Sequence, residues 1–158
     1  MALWHCDFHL IPRRALIEHF GRVPDRMSND LFSSVNWWRG LGISPGLLDQ
    51  LDRRLPRMNS WSKDVLQWGT DDGNRVDAVV EHGELASLLV RIDARILDHE
   101  IVALAATLAE ELDALVLTDQ SELREPSLYR LLDAFENSRA ARFVKAPDEF
   151  LDNDGRET

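Results

Sequence analysis

The chain has 158 residues, 44% of them hydrophobic and 29% charged, with a formal net charge of -10. That is enough apolar material for one folded domain without metal or disulfide staples, so global disorder is excluded. The excess of acid argues against a nucleic-acid partner, because such binding is dominated by Lys and Arg neutralising phosphates. The single Cys6 forms no internal disulfide, and the start "MALWHCDFHLIPRR" lacks the basic-then-apolar order of a secretory signal. No apolar run approaches the roughly 20 residues needed to cross a bilayer. A cytoplasmic protein with no membrane association is therefore expected.

Residues 2 to 11 alternate. Trp4, Cys6, Phe8 and Leu10 share one face, while His5, Asp7 and His9 share the other, which predicts a half-buried strand. Pro12 suits the start of a helix through "RRALIEHF", and Gly21 suits its end. Residues 22 to 72 read as a helical, tryptophan-rich insertion. Leu31, Val35 and Trp38 make one helical stripe ending at Gly40, a second helix runs from Ser44 and Pro45 to Pro56, and a third short helix carries Trp61, Val65 and Trp68.

From residue 73 the period changes to two. "NRVDAVVEHG" and "ELASLLVRIDAR" alternate around "EHGE", the pattern of a hairpin. "DHEIVALAATLAEELD" has Asp98 as cap and an apolar stripe of Ile101, Leu104, Ala105, Leu108 and Leu112, which predicts a helix. "ALVLT" is apolar on both faces, as a covered strand should be. Pro126 opens a last helix with Leu128, Leu131, Leu132 and Phe135 inward. The end, "DEFLDNDGRET", is acidic and expected to fray, with Phe150 and Leu151 as the residues able to dock.

The expected fold is therefore α+β, a ferredoxin-like βαββαβ antiparallel sheet with a helical Trp-rich insertion (22–72) after the first helix and a C-terminal helix. A single domain over 1–145 with an acidic tail over 146–158 is the expected organisation. In that topology the first and third strands are neighbours. His5, Asp7 and His9 then lie beside Arg91, Asp93 and Arg95, with Arg75 and Asp77 further out.

Several short motifs fail on spacing. "HEIVA" has Ala103 where a zinc-binding helix needs its second histidine. "DNDGRE" and "DDGN" place Phe150 and Trp68 at the first calcium-ligand position, so both read as turns. "GLGISPG" follows a helical segment and loses an amide donor at Pro45, so it reads as a loop between helices. Arg91 and Arg95 would repel a dication from His5 and His9, so no metal and no cofactor is expected. Cys6 and His5 point to opposite faces and make no catalytic dyad. No glycine-flanked serine elbow occurs, and no catalytic residue is assigned. No family's diagnostic residues align.

The binding candidates are His5, Asp7, His9, Arg91, Asp93 and Arg95 on the polar strand face, and Trp37 as an aromatic anchor. Two uses of that face follow. One is a small non-catalytic binding protein, such as an immunity-type inhibitor, steered by its acidic charge to a basic protein partner. The other is an enzyme or small-ligand receptor, in which a histidine moves a proton and an arginine grips an anionic small ligand. A homodimer that pairs sheet faces is a third arrangement. A closed recess lined by these side chains favours the small ligand, and a flat open face favours the protein partner.

Overall fold

The computed structural model describes residues 2–96 and 98–154. In chain order its elements are β1 (His5–Pro12), α1 (Arg13–Phe20), α2 (Asn29–Ser34), α3 (Pro45–Arg54), β2 (Arg57–Met58), β3 (Val65–Gly69) and β4 (Arg75–Glu81). Then come β5 (Glu84–Asp93), α4 (His99–Glu111), β6 (Ala114–Leu117), β7 (Leu123–Arg124), α5 (Leu128–Glu136), α6 (Arg139–Lys145) and α7 (Pro147–Asp154). The strands form one sheet in the order β2-β3-β4-β5-β1-β6-β7, antiparallel at every junction. The chain is thus α+β with an antiparallel sheet, but the sheet has seven strands where four were expected. β2 and β3 extend one side and β7 the other.

The alternation of β1 sets the sheet's two faces. Its even residues Cys6, Phe8 and Leu10 are buried, as are Leu88, Val90 and Ile92 of β5, Val76 and Ala78 of β4, and Trp68 of β3. They join Ile101, Val102, Leu104, Ala105 and Leu108 of α4 in one apolar cluster, whose removal from water is the main force holding helix to sheet. α4 begins at Asp98, whose side chain accepts from Glu100 N. α1 ends at Gly21 in the left-handed conformation, φ 75°, as its glycine foretold.

Three stretches depart from the sequence reading. The helix expected through Trp38 stops at Ser34, and Val35 is extended. Trp37 and Trp38 lie in the following turn and both are buried. In that turn each indole donates to a carbonyl, Trp37 to Phe32 O at 3.0 Å and Trp38 to Leu10 O at 3.1 Å, the usual arrangement of a buried indole N–H.

The expected third helix is instead strand β3, with Trp61 outside it and 84% exposed. "VLQWG" pairs with β4 through Leu66↔Ala78 and Trp68↔Val76, and Trp68 Nε1 donates to Asp52 Oδ1 at 2.7 Å. Cross-strand packing outweighs a short helical stripe here. Gly69 ends the strand at φ +112°, where a Cβ would lie 2.2 Å from Asn74 O.

The C-terminal part also contains more structure than expected. α5 is followed by α6 and α7, so residues 147–154 of the presumed frayed tail are helical. Phe150 docks edge-on to Phe143 with ring centroids 5.7 Å apart, while Leu151 is exposed. The turn expected at 152–157 begins within α7, and its remainder lies outside the described residues. Residues 71–74 form the expected bend between β3 and β4, and 40–44 a non-helical connection to α3.

Candidate functional site: a polar recess on the sheet face

The odd residues of β1 and β5 face each other in the register His5↔Asp93, Asp7↔Arg91 and His9↔Leu89. Arg91 Nε donates to Asp7 Oδ1 at 3.1 Å, both side chains being mostly buried. On β4, Arg75 lies directly opposite Arg91. Like charges so placed repel, and each guanidinium has its own carboxylate, Arg75 pairing with Asp77 at 2.9 Å. Gln67 extends the row by donating to Asp77 Oδ1 at 3.1 Å.

At the other end, Asp93 is 1% exposed. Its carboxylate takes the Arg95 side chain at 2.7 Å and the Arg95 backbone N–H at 2.9 Å. Burial opposes its charge, but these hydrogen bonds outweigh burial and hold the Asp93 carboxyl below the usual range. The Arg95 guanidinium also lies 4.3 Å from the Trp4 ring centroid.

Beside this ladder the chain forms a recess of about 320 Å³, lined by His5, Asp7 and His9 on one side and by Thr118, Asp119, Arg139 and Phe150 on the other, with Ala2, Leu3 and Asn29 at its margin. Each wall has a local cause. β6 ends at Leu117, opposite His9, so Thr118 and Asp119 continue past it alongside β1. Ser138, fully buried, caps α6 by accepting from Ala141 N at 3.1 Å. The next amide, Arg139 N, donates to Asp119 Oδ2 at 3.0 Å. The Arg139 guanidinium pairs with Asp154 at 3.1 Å and lies 5.5 Å from the Phe150 ring centroid, which ties α7 to the same wall.

Two residues that line the recess carry polar atoms without protein partners. Asp119 Oδ1 and His5 Nδ1 are both shielded from solvent and have no hydrogen-bond partner among the described residues. Burial raises the Asp119 carboxyl above its ordinary value; the Arg139 amide and the Arg142 and Arg139 charges oppose this, and the Asp7 charge adds to the rise. Burial likewise lowers His9; Asp7 opposes that shift and Arg91 reinforces it. The His9 ring rests against Phe32 of α2 at 4.6 Å between centroids. The site therefore combines an imidazole and a carboxyl whose burial moves each toward its uncharged form.

Six of the seven binding candidates, His5, Asp7, His9, Arg91, Asp93 and Arg95, lie along this face. Trp37 does not. It is 4% exposed and packs against His19 and Phe20, so it offers no aromatic anchor. Sequence reasoning missed Thr118, Asp119, Arg139 and Phe150. A threonine–aspartate pair following the wholly apolar "ALVL" was the one visible signal. Cys6 is buried on the opposite, apolar face with its thiol pushed up chiefly by burial, which leaves it unreactive.

Among the described residues, no group of three or more His, Cys, Asp or Glu side chains is arranged to hold a metal ion, and no helix is long and apolar enough to cross a membrane. The chain matches no family model, no curated protein and no solved structure.

Proposed function

We propose that this chain binds a small polar molecule in the recess between β1 and the α6–α7 wall. The observation that carries the proposal is that two side chains bordering one cavity, Asp119 and His5, each carry a buried polar atom, Oδ1 and Nδ1, without a partner among the described residues. Unpaired buried polar groups cost stability and call for an explanation. A ligand that hydrogen-bonds there supplies one. The recess is also within the size range of small-ligand sites, and its polar side chains, with apolar surface from Leu3 and Phe150, would orient an occupant.

An immunity-type inhibitor that docks a basic protein on the same face would need that face open. α2 rests on His9 through Phe32, and α6 and α7 wall the recess, which favours the small molecule. The order β4-β5-β1-β6, with α1 after β1 and α4 after β5, supports reading the centre as a ferredoxin-like βαββαβ motif extended at both edges.

The test is a titration of isotope-labelled protein with a panel of short amines, alcohols, sugars and carboxylates, followed by amide and imidazole resonances. Saturable shifts at His9, Thr118 and Asp119 are expected for at least one class, weakened in His9→Gln. A panel that leaves these resonances unmoved overturns the proposal.

A further inference from the structure

We infer that α7 is a gate of the recess, swinging Phe150 between its observed seat at the recess wall and a second seat in the cleft beside α6. The motion stands on the packing of α6 and α7; its role as a gate rests on the recess reading above.

The two helices are not close-packed. A cleft of about 510 Å³ lies between them, lined by Arg139, Arg142 and Lys145 of α6 and by Glu149, Phe150 and Asp154 of α7. Close-packed elements leave no such space. Of the cleft residues only Arg139 and Phe150 also border the recess, so these two side chains mark where the cavities adjoin. A Phe150 ring drawn further into the cleft leaves the recess wall, and the recess opens on that side.

The chain supplies a hinge and two sets of latching charges. Ala146 alone separates α6 from α7, at φ -149° and ψ 73°, and Pro147 opens α7 without an N–H to carry the helical hydrogen bonds onward. A non-helical residue at the end of an element absorbs the rotation of one helix against another. In the observed seat the latch is Arg139, which pairs with Asp154 at 3.1 Å and lies 5.5 Å from the Phe150 ring centroid. Beyond that, α7 is held by the edge-on contact of Phe150 with Phe143, and none of its side chains is buried, so its release exposes little apolar area. The second seat has charges of its own. Arg142, Lys145 and Glu149 line the cleft, and none of the three is in an ion pair among the described residues. Drawing α7 toward α6 brings Glu149 to the two cations and exchanges one exposed ion pair for another. Such pairs contribute little each, which keeps the two seats close in energy.

The test reads the recess from inside. Thr118 borders it and is 5% exposed, so Thr118→Cys in the full chain reacts with a small methanethiosulfonate when the wall opens, while the fully buried Cys6 reports global unfolding. Asp154→Asn releases the latch of the observed seat and is expected to speed the reaction at position 118. Glu149→Gln removes the anion of the second seat and is expected to slow it, each change reaching up to about fivefold, the factor an exposed ion pair supplies. The sign in Glu149→Gln discriminates, because a carboxylate that only supports the first turn of α7 would on removal loosen the helix and speed the reaction. Opposite changes, with Cys6 labelling and the melting curves unaltered, support the gate. Equal rates in all three proteins, or two changes of the same sign, overturn it. A fluorine label on the Phe150 ring gives a readout that does not need Thr118→Cys: its resonance is expected to move in opposite directions in the two variants, and a resonance unmoved in both overturns the gate as well. The ligand panel is decided separately. A silent panel with opposite labelling changes removes the ligand and leaves a moving wall, whereas a responsive panel with equal labelling leaves a ligand site and a fixed α7.

Discussion

At the scale of single residues, Asp119 and His9 make opposite contributions to the dependence of stability on pH. An unfolded aspartate ionises near pH 3.9. Asp119 is raised above that by burial, so as pH climbs through about 4 the unfolded chain releases its proton first, and the native state loses relative stability until Asp119 has itself ionised. Asp119→Asn removes this loss. The variant is expected to unfold at higher denaturant concentration than the parent at pH 7, with the difference vanishing near pH 3; an equal or lower midpoint at pH 7 would show that Asp119 is compensated after all. Such a gain is the usual mark of a residue kept for binding at the expense of stability. His9 is lowered, first by burial, so below its unfolded value of about 6.5 the unfolded chain binds a proton that native His9 refuses. Stability should therefore fall on acidification from pH 7, and His9→Gln should flatten that slope in the same denaturation series.

At the scale of elements, the recess depends on where α6 begins. Ser138 is fully buried, accepts from Ala141 N at 3.1 Å and donates to Phe135 O at 2.6 Å. It thereby fixes the turn between α5 and α6 as well as the first turn of α6. Ser138→Ala is expected to cost about 1–2 kcal/mol in chemical denaturation, the value of a lost cap plus a stranded acceptor. Because the next amide holds Asp119, the variant should also move the Asp119 resonance. A loss of only a few tenths, with Asp119 unmoved, would mean that α6 is placed by packing alone. α7 is held differently. None of its side chains is buried, and it is attached through Phe150 against Phe143 and through the Arg139–Asp154 pair. Few apolar residues announce such a helix, which is why a reading based on apolar periodicity leaves it as a frayed tail.

At the scale of the whole molecule, the seven-stranded sheet ends on both sides in strands of two residues, Arg57–Met58 and Leu123–Arg124. Short edges discourage edge-to-edge pairing. The polar face, bordered by α2 and α7, is likewise a poor surface for the face-to-face dimer considered from the sequence. Small-angle scattering over a range of concentrations is expected to return the mass of one chain throughout, and a dimer mass that grows with concentration would contradict this. The two faces of β1 were legible in the order of residues, because alternation at period two places His5, Asp7 and His9 on one side whatever the rest of the chain does, whereas its expected neighbour came from the order of elements. The hairpin, α1 and α4 were legible for the same local reason: caps, glycine stops and apolar period lie within each segment. What local pattern leaves open is how distant segments meet. Trp37 and Trp38 lie beyond the helix with their indoles on carbonyls, one of them on β1, and β3 is a strand because β4 lies beside it. Asp119 and Arg139 join Asp7 only through the path of the chain around β6, since a recess is a property of surfaces brought together by packing and has no period of its own.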